Sequence, residues 1–412
     1  MFMWQNLIRL FIVSISSMSL MAMTDNKTAL ESKSFEDSNY EKLEELFLRI
    51  GSQGTPEEIQ DLLGQGLHPN NTSKEMPKFW EAIIERSKQD EENTLPIIRI
   101  LLNHAMKFLT PNITPHDDAH KKIIINMDVN GTIIFGGTIG GRTLEQSIIL
   151  ALADDLKDKW DETITEPVSF SEYVNLKLPG SSRDSELRKK RDQEKFAFLN
   201  FLKRKNHPLK KLAHKTYKKM VEKLKFQKGT VIDSFYKLIQ YLKANDIHFS
   251  MILRSFGVDT DNVMKEVNEN LRMNFFENRN DFRGILRLID VLPATERLNY
   301  LKQVYNFIKA TPNTGVRDDY SYWNSNKQHQ KFSKPFPIDN TDSSAIQIFF
   351  DDNVKSEPES SVNIVNPIDV CTGEPLNVNE LIQSHMIIQV NIVNALLDDN
   401  YFVAAIQALL HD

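Results

Sequence analysis

The sequence predicts an α/β protein: a doubly wound parallel sheet with helices on both faces, preceded by a small all-helical domain. Three stretches carry that prediction. The run Ile123, Ile124, Ile125 is continuously apolar, as a strand covered on both faces requires, and it ends in Asp128 with Gly131 just beyond. A second apolar run, Ala345 to Phe350, ends in Asp351 and Asp352 and follows the turn residues Thr341, Asp342, Ser343 and Ser344. Between them, apolar residues at 231, 235, 238, 239 and 242 mark a helix from Val231 to Ala244, and Ile247 to Gly257 follows as a strand ending at Ser255. Alternating strands and helices are the pattern of a parallel sheet.

From the N-terminus, residues 1–23 read as a signal peptide or leader. Leu10 to Met23 is an apolar run of signal-peptide length after Arg9, too short to span a bilayer comfortably, and Met18, Met21 and Met23 offer alternative starts. Secretion or a cytoplasmic location is expected according to whether this segment acts as a signal. No other stretch approaches membrane-spanning length, so no integral membrane span is expected. Residues 24–39 are polar and read as a disordered linker. At 412 residues the chain has room for two or three domains, and 41% hydrophobic with 26% charged residues is a globular composition. The single cysteine, Cys371, excludes an internal disulfide and has no metal-ligand spacing.

Residues 40–115 read as a helical domain. Thr55, Pro56 and Glu58 form a helix start with a capping box, and Gly64 or Gly66 ends that helix. The phrase from Ile59 to Asn70 and the run from Ile97 to His104 resemble ankyrin-repeat helices, although 39 residues separate their Leu-Leu pairs and two units are fewer than an array needs. A scaffold role with a protein partner is the expectation here.

The sheet domain is expected to comprise residues 120–140 and 231–412, with residues 141–230 inserted as a helical cap. Gly136, Gly137, Gly140 and Gly141 follow Asp128 closely, suited either to cradling a phosphate with backbone amides or to the turns of a hairpin flap. Thr143 and Gln146 then form a capping-box helix start. Within the insert, residues 183–228 hold 17 Lys and Arg against 5 Asp and Glu, a local charge of +12 in a chain whose total is −6. Leu209, Leu212, Ala213, Met220, Val221 and Leu224 keep an apolar stripe while lysines occupy the rest of the helix. Such a face suits an anionic partner: a phosphorylated substrate, nucleic acid or a membrane surface. It equally suits a solvated face paired with acidic surface elsewhere. Phe196, Phe198, Phe201 and Tyr217 are expected to pack inside the insert. Residues 262–310 read as helices covering the sheet, Arg317 to Trp323 as a charged, aromatic loop from which Arg317 or Asp319 either reaches substrate or forms an ion pair that fixes the loop, Val362 to Val365 as a short strand, and Asn377 to His411 as two amphipathic helices.

If the strands ending in Asp128 and in Asp351 and Asp352 are parallel neighbours, their carboxylates converge, which calls for a cation between them. All-oxygen ligands favour a hard ion such as magnesium. At this point the chain resembles the haloacid dehalogenase-like (HAD) superfamily of aspartate-nucleophile phosphatases and phosphotransferases, over residues 120 to 370. Its first motif, Asp-x-Asp-Gly-x-Thr or Asp-x-Asp-x-Thr at a strand end, is matched by Asp128, Asn130, Gly131 and Thr132; its fourth, an acidic pair, by Asp351 and Asp352. Ser255 matches the second-motif hydroxyl. Lys334, in Phe-Ser-Lys-Pro, matches the third-motif lysine, with Lys309, Lys327 and Lys331 as rivals.

The resemblance implies magnesium held by Asp128, Asp351, Asp352 and the backbone carbonyl of Asn130, with Asp128 as nucleophile. Ser255, Gly131, Thr132 and Lys334 would bind and orient the phosphorylated substrate. One departure matters. Asn130 stands where the family has its general acid and base, and an amide does not titrate. The expectation is therefore a slow magnesium-dependent phosphatase or phosphotransferase acting through an aspartyl-phosphate on Asp128. The alternative is a HAD-fold binding module, weak or inactive in catalysis, that recognises an anionic partner through the basic insert.

Overall fold

A computed structural model of the chain describes residues 46–64, 77–109, 121–135, 142–180, 184–227, 229–277, 279–354 and 363–411. The leader, the linker and the glycines at 136–141 lie outside the described residues, as does the end of the ankyrin-like phrase after Gly64. Among the described residues no helix is long and apolar enough to cross a membrane.

The chain divides into two units, Met1–Ile100 and Leu101–Asp412. The first is helical. Residues 46–53 are followed by the helices Pro56–Gly64 and Pro77–Gln89 and by the start of Glu91–Leu109, inside which the division falls. The Thr55 amide donates to Glu58 at 3.0 Å and the Glu58 amide to the Thr55 hydroxyl at 3.3 Å, which closes the capping box. Phe47, Ile59, Phe79, Ile83, Ile97 and Ile98 are buried, and Phe47 meets Phe79 edge-on at 5.5 Å.

The second unit is α/β. Its strands are β1 (Lys122–Asp128), β2 (Lys157–Asp158), β3 (Val168–Ser169), β4 (Phe249–Ser255), β5 (Arg279–Asp281), β6 (Thr314–Arg317), β7 (Lys334–Ile338), β8 (Ala345–Asp351), β9 (Val365–Asp369) and β10 (Ile387–Gln389). Six form one sheet in the order β10-β8-β1-β4-β6-β5, and every pairing in it is parallel. The strand that comes first in sequence thus lies in the middle. Later strands are laid down on either side of it, so the strand order reverses at β1, and the C-terminal end of β1 is the switch point at which such sheets place ligands.

Burial explains the continuous isoleucine run. On one face, Ile123, Ile125 and Met127 pack with Met251, Leu253, Ile348 and Phe350 under the helices Leu144–Asp155, Asp233–Ala244, Ile392–Leu397 and Tyr401–His411. The other face carries a second apolar cluster, in which Phe349 meets Phe336 at 5.3 Å and Val365 and Ile387 join them. Phe336 and Val365 belong to the parallel pair β7-β9, which forms a small separate sheet.

The structure corrects several readings. Asn377 to His411 is not two helices: Val378–Gln383, Ile392–Leu397 and Tyr401–His411 are helical, and the edge strand β10 lies among them. The Asn262 to Ala310 region likewise contains β5, and the supposed loop at Arg317 opens with the end of β6 and continues into the helix Tyr320–Ser325. These strands have three or four residues, too few for a period-2 pattern to show. The inserted segment, expected as a cap, shares its core with the sheet. Its Ile148, Leu152, Phe170, Phe198, Ala213 and Met220 belong to the same buried cluster as Ile123 and Met127. Trp160 sits at the centre of its aromatic packing, 5.2 Å from Phe170 and 5.7 Å from Phe198, with the indole N–H donating to the Val168 carbonyl at 2.8 Å.

Candidate functional site

Four separate segments converge at the C-terminal end of the sheet. Asp128 ends β1 and Asp351 ends β8, and the parallel register places Met127 beside Phe350, so the two carboxylates leave the sheet at the same level. Asp128, Asp351 and the adjoining Asp352 each offer an oxygen, and these oxygens lie within 4.8 Å of one another. Asp128 and Asp351 are buried, while Asp352 is half-buried. The Asn353 amide donates to Asp351 Oδ1 at 2.9 Å and helps fix that side chain.

Lys334, at the start of β7, reaches into this cluster from the neighbouring sheet. Its ammonium donates to Asp128 Oδ1 in a short contact and to Asp351 Oδ2 at 2.8 Å, and the residue is only 1% exposed. β7 is anchored there by its pairing with β9 and by the Lys334 amide, which donates to the Ile364 carbonyl at 3.0 Å. The rival lysines are occupied elsewhere or lie in turns: Lys309 pairs with Asp342 at 2.6 Å, Lys331 lies over the Phe332 ring, and Lys327 has a left-handed backbone with φ 60°.

Charge crowding dominates the electrostatics. Burial pushes the Asp128 carboxyl up to about 7; Lys334 draws it down and Asp351 pushes it up further. Burial, then repulsion from Asp351 and Asp128, holds Asp352 well above the carboxylate range. Burial opposes the charge on Lys334, but the attraction of Asp128, Asp351 and Asp318 outweighs it and raises the ammonium pKa.

Ser255 ends β4, beside β1, and is buried with its Oγ accepting the Gly257 amide at 2.9 Å. Its O–H remains to donate. Gly131 has φ +77°, and a Cβ on it would collide with Asp352 Oδ2, so glycine is what lets the turn close against the acidic pair. Thr132 is withdrawn instead: it is fully buried, with its hydroxyl unpartnered among the described residues. Asn130 is half-buried, and its Nδ2 donates to Asp259 Oδ2 at 2.9 Å.

Asp259 was missed in the sequence reading. It is buried in the first turn of the helix Asp259–Leu271, four residues beyond Ser255, where an acid reads as an ordinary helix-start residue. Its carboxylate and the Ser255 hydroxyl both border Gly257, at 3.2 and 3.6 Å from the position of a Cβ there. Arg254 was missed as well. Its guanidinium is fully buried beneath the cluster, paired with Asp318 at 3.0 and 2.5 Å and donating to the Pro335 carbonyl at 3.0 Å. A lone arginine inside an apolar strand was the signal that could have found it, since a buried charge needs a partner. The loop acid Asp319 is held by Arg287 at 2.8 and 2.9 Å, away from this cluster.

The donor set fits a hard divalent cation: three carboxylates, two of them held up in pKa by burial and mutual repulsion, and a glycine that leaves room beside Asp352. No protein-family model, curated protein or solved structure matches this chain.

Proposed function

We propose that the protein is a magnesium-dependent phosphatase or phosphotransferase of the HAD type, with Asp128 as its nucleophile. The observation that carries this reading is the meeting of Asp128, Lys334, Asp351 and Asp352 at the C-terminal end of one parallel sheet, from segments up to 224 residues apart. The family's four motifs require that convergence, with the hydroxyl of Ser255 on the next strand. Magnesium, when bound by Asp128, Asp351, Asp352 and the Asn130 carbonyl, supplies positive charge that keeps the carboxylates ionised and neutralises the phosphate.

Ionised Asp128 attacks phosphorus in line, and the bond from phosphorus to the leaving oxygen breaks as the aspartyl-phosphate forms. The Lys334 ammonium and the Ser255 hydroxyl hold the equatorial oxygens, where the transition-state charge resides. Water then attacks phosphorus, the bond from phosphorus to the Asp128 oxygen breaks, and inorganic phosphate leaves the free carboxylate behind as the water gives up a proton. Asn130 cannot take it, but its amide ties down the Asp259 carboxylate, and we assign the proton to Asp259. This relocated base makes the second step the slow one.

The second reading, a phosphate-binding module without turnover, is favoured by Asn130 itself. One experiment separates the two: magnesium-dependent phosphate release from an activated aryl phosphate by the wild type, Asp128→Asn and Asn130→Asp. Activity lost in the first variant and raised in the second is the expected result. No release by any of the three, in folded protein that binds magnesium, would replace the enzyme with the binding module.

A further inference from the structure

The helix Lys210–Phe226 in the insert buries only Ala213 and Met220. Lys211, Lys215, Lys218, Lys219 and Lys225 are exposed on it, with Glu222 as the one acid among them. At 3.6 residues per turn these five lysines fall within an arc of about 120° and extend along roughly 20 Å of helix. Among the described residues none of the five forms an ion pair. The helix's paired lysine is Lys223, which holds Asp233 at 2.9 Å and Asp399 at 2.7 Å from the less exposed side.

The same face carries apolar side chains in the open. Phe226 is 81% exposed and Leu212 is 49% exposed. By helical projection Phe226 falls between Lys215 and Lys219, with Leu212 at the adjoining edge. A charged face meant only for water has no use for an exposed phenylalanine among its lysines, whereas a helix lying in a lipid interface combines these two features.

We propose that this face docks the protein on an anionic phospholipid membrane, with the lysines on the headgroup phosphates and Phe226 and Leu212 entering the acyl boundary. Three observations favour lipid over nucleic acid. The exposed cations on this helix are lysines, point charges without the planar fork that reads phosphodiesters and bases. Trp160, Phe170, Phe198 and Phe201 of the insert pack on one another, and the exposed Phe226 is a single ring rather than a row on which successive bases could stack. Leu212 and Phe226 gain nothing from a phosphate backbone but bury area in a bilayer. The proposal does not depend on the phosphatase reading.

The test uses the full chain, co-sedimented with vesicles of phosphatidylcholine alone and of phosphatidylcholine with phosphatidylserine. Binding is expected only with the anionic lipid and weakened by salt. Replacing Lys215, Lys218 and Lys219 together with Gln should lower partitioning about a hundredfold, at about fivefold per lysine. Phe226→Ser should lower it about tenfold, and that loss should persist at high salt, where charge is screened. Circular dichroism checks that both variants fold. Equal binding to the two vesicle types, no binding by the wild type, or unchanged binding by the folded lysine variant would overturn the proposal. So would binding to RNA or DNA that displaces the vesicles, which would assign the face to nucleic acid.

Discussion

Lys334→Met removes the ammonium that bridges Asp128 and Asp351 and tests whether it holds the site carboxylates together. Lys334 and Asp351 side chains are at most 1% exposed and the Asp128 side chain is 9% exposed, so both ion pairs are shielded from water. Removing one partner of a buried pair costs about 3–5 kcal/mol, because the charge left behind is uncompensated. Against a typical stability of roughly 5–15 kcal/mol this is a large fraction. Asp128 can absorb part of the loss by taking up a proton, since its carboxyl already stands at about 7 with the lysine present. The destabilisation should therefore be about 3 kcal/mol or more above neutral pH and clearly smaller near pH 5, where the carboxylate is protonated (roughly two units below its raised pKa). Urea unfolding followed by circular dichroism at the two pH values measures it, and added magnesium should recover part of the loss at the higher pH. A loss under about 1 kcal/mol, or one of equal size at both pH values, would refute the claim that the ammonium compensates these buried charges.

The same geometry fixes three more outcomes. The Asp128 carboxyl is raised from 3.8 to about 7 in the folded chain, so its contribution to stability is full below pH 3.8 and is lost as pH rises through about 7. Magnesium needs the ionised carboxylate, so its affinity should climb across that window with proton release; calorimetry near pH 6 in buffers of different ionisation enthalpy would show no buffer dependence if the assignment is wrong. Gly131→Ala drives a Cβ into Asp352 Oδ2 at φ +77°, which should cost about 1–3 kcal/mol in backbone strain and weaken magnesium binding at least tenfold; binding as tight as the wild type would exclude Asp352 from the cation site. Asp259→Asn should spare the first burst of aryl alcohol from an activated phosphate while lowering steady turnover by about 10²–10⁴-fold, and an unchanged steady rate would remove Asp259 from the proton path.

Local patterns in the sequence were enough for the central elements. The isoleucine run of β1, the apolar run of β8 and the periodic helix before β4 each declare themselves within a window of about a dozen residues. Short elements did not. β5, β6 and β10 have three or four residues and become strands because the sheet beside them offers unpaired backbone groups, information carried by their neighbours. The pairing of β7 with β9 escaped for the same reason, and Pro335 and Pro337 inside β7 argued locally against a strand at all.

The site divides in the same way. Sequence alone determined that Asp128 and the Asp351-Asp352 pair end buried strands, because an acid closing an apolar run is a local fact, and that Asn130 lacks a titratable group. Tertiary structure alone decided that Lys334, rather than Lys309, Lys327 or Lys331, meets those carboxylates, and that Asp259 hydrogen-bonds Asn130 across 129 residues. It also decided that Arg254 pairs with Asp318 beneath them and that the basic insert shares the sheet's core. The physical reason is that a side chain's partner depends on sheet order and register, and these follow from burying the whole chain at once rather than from the residues beside it.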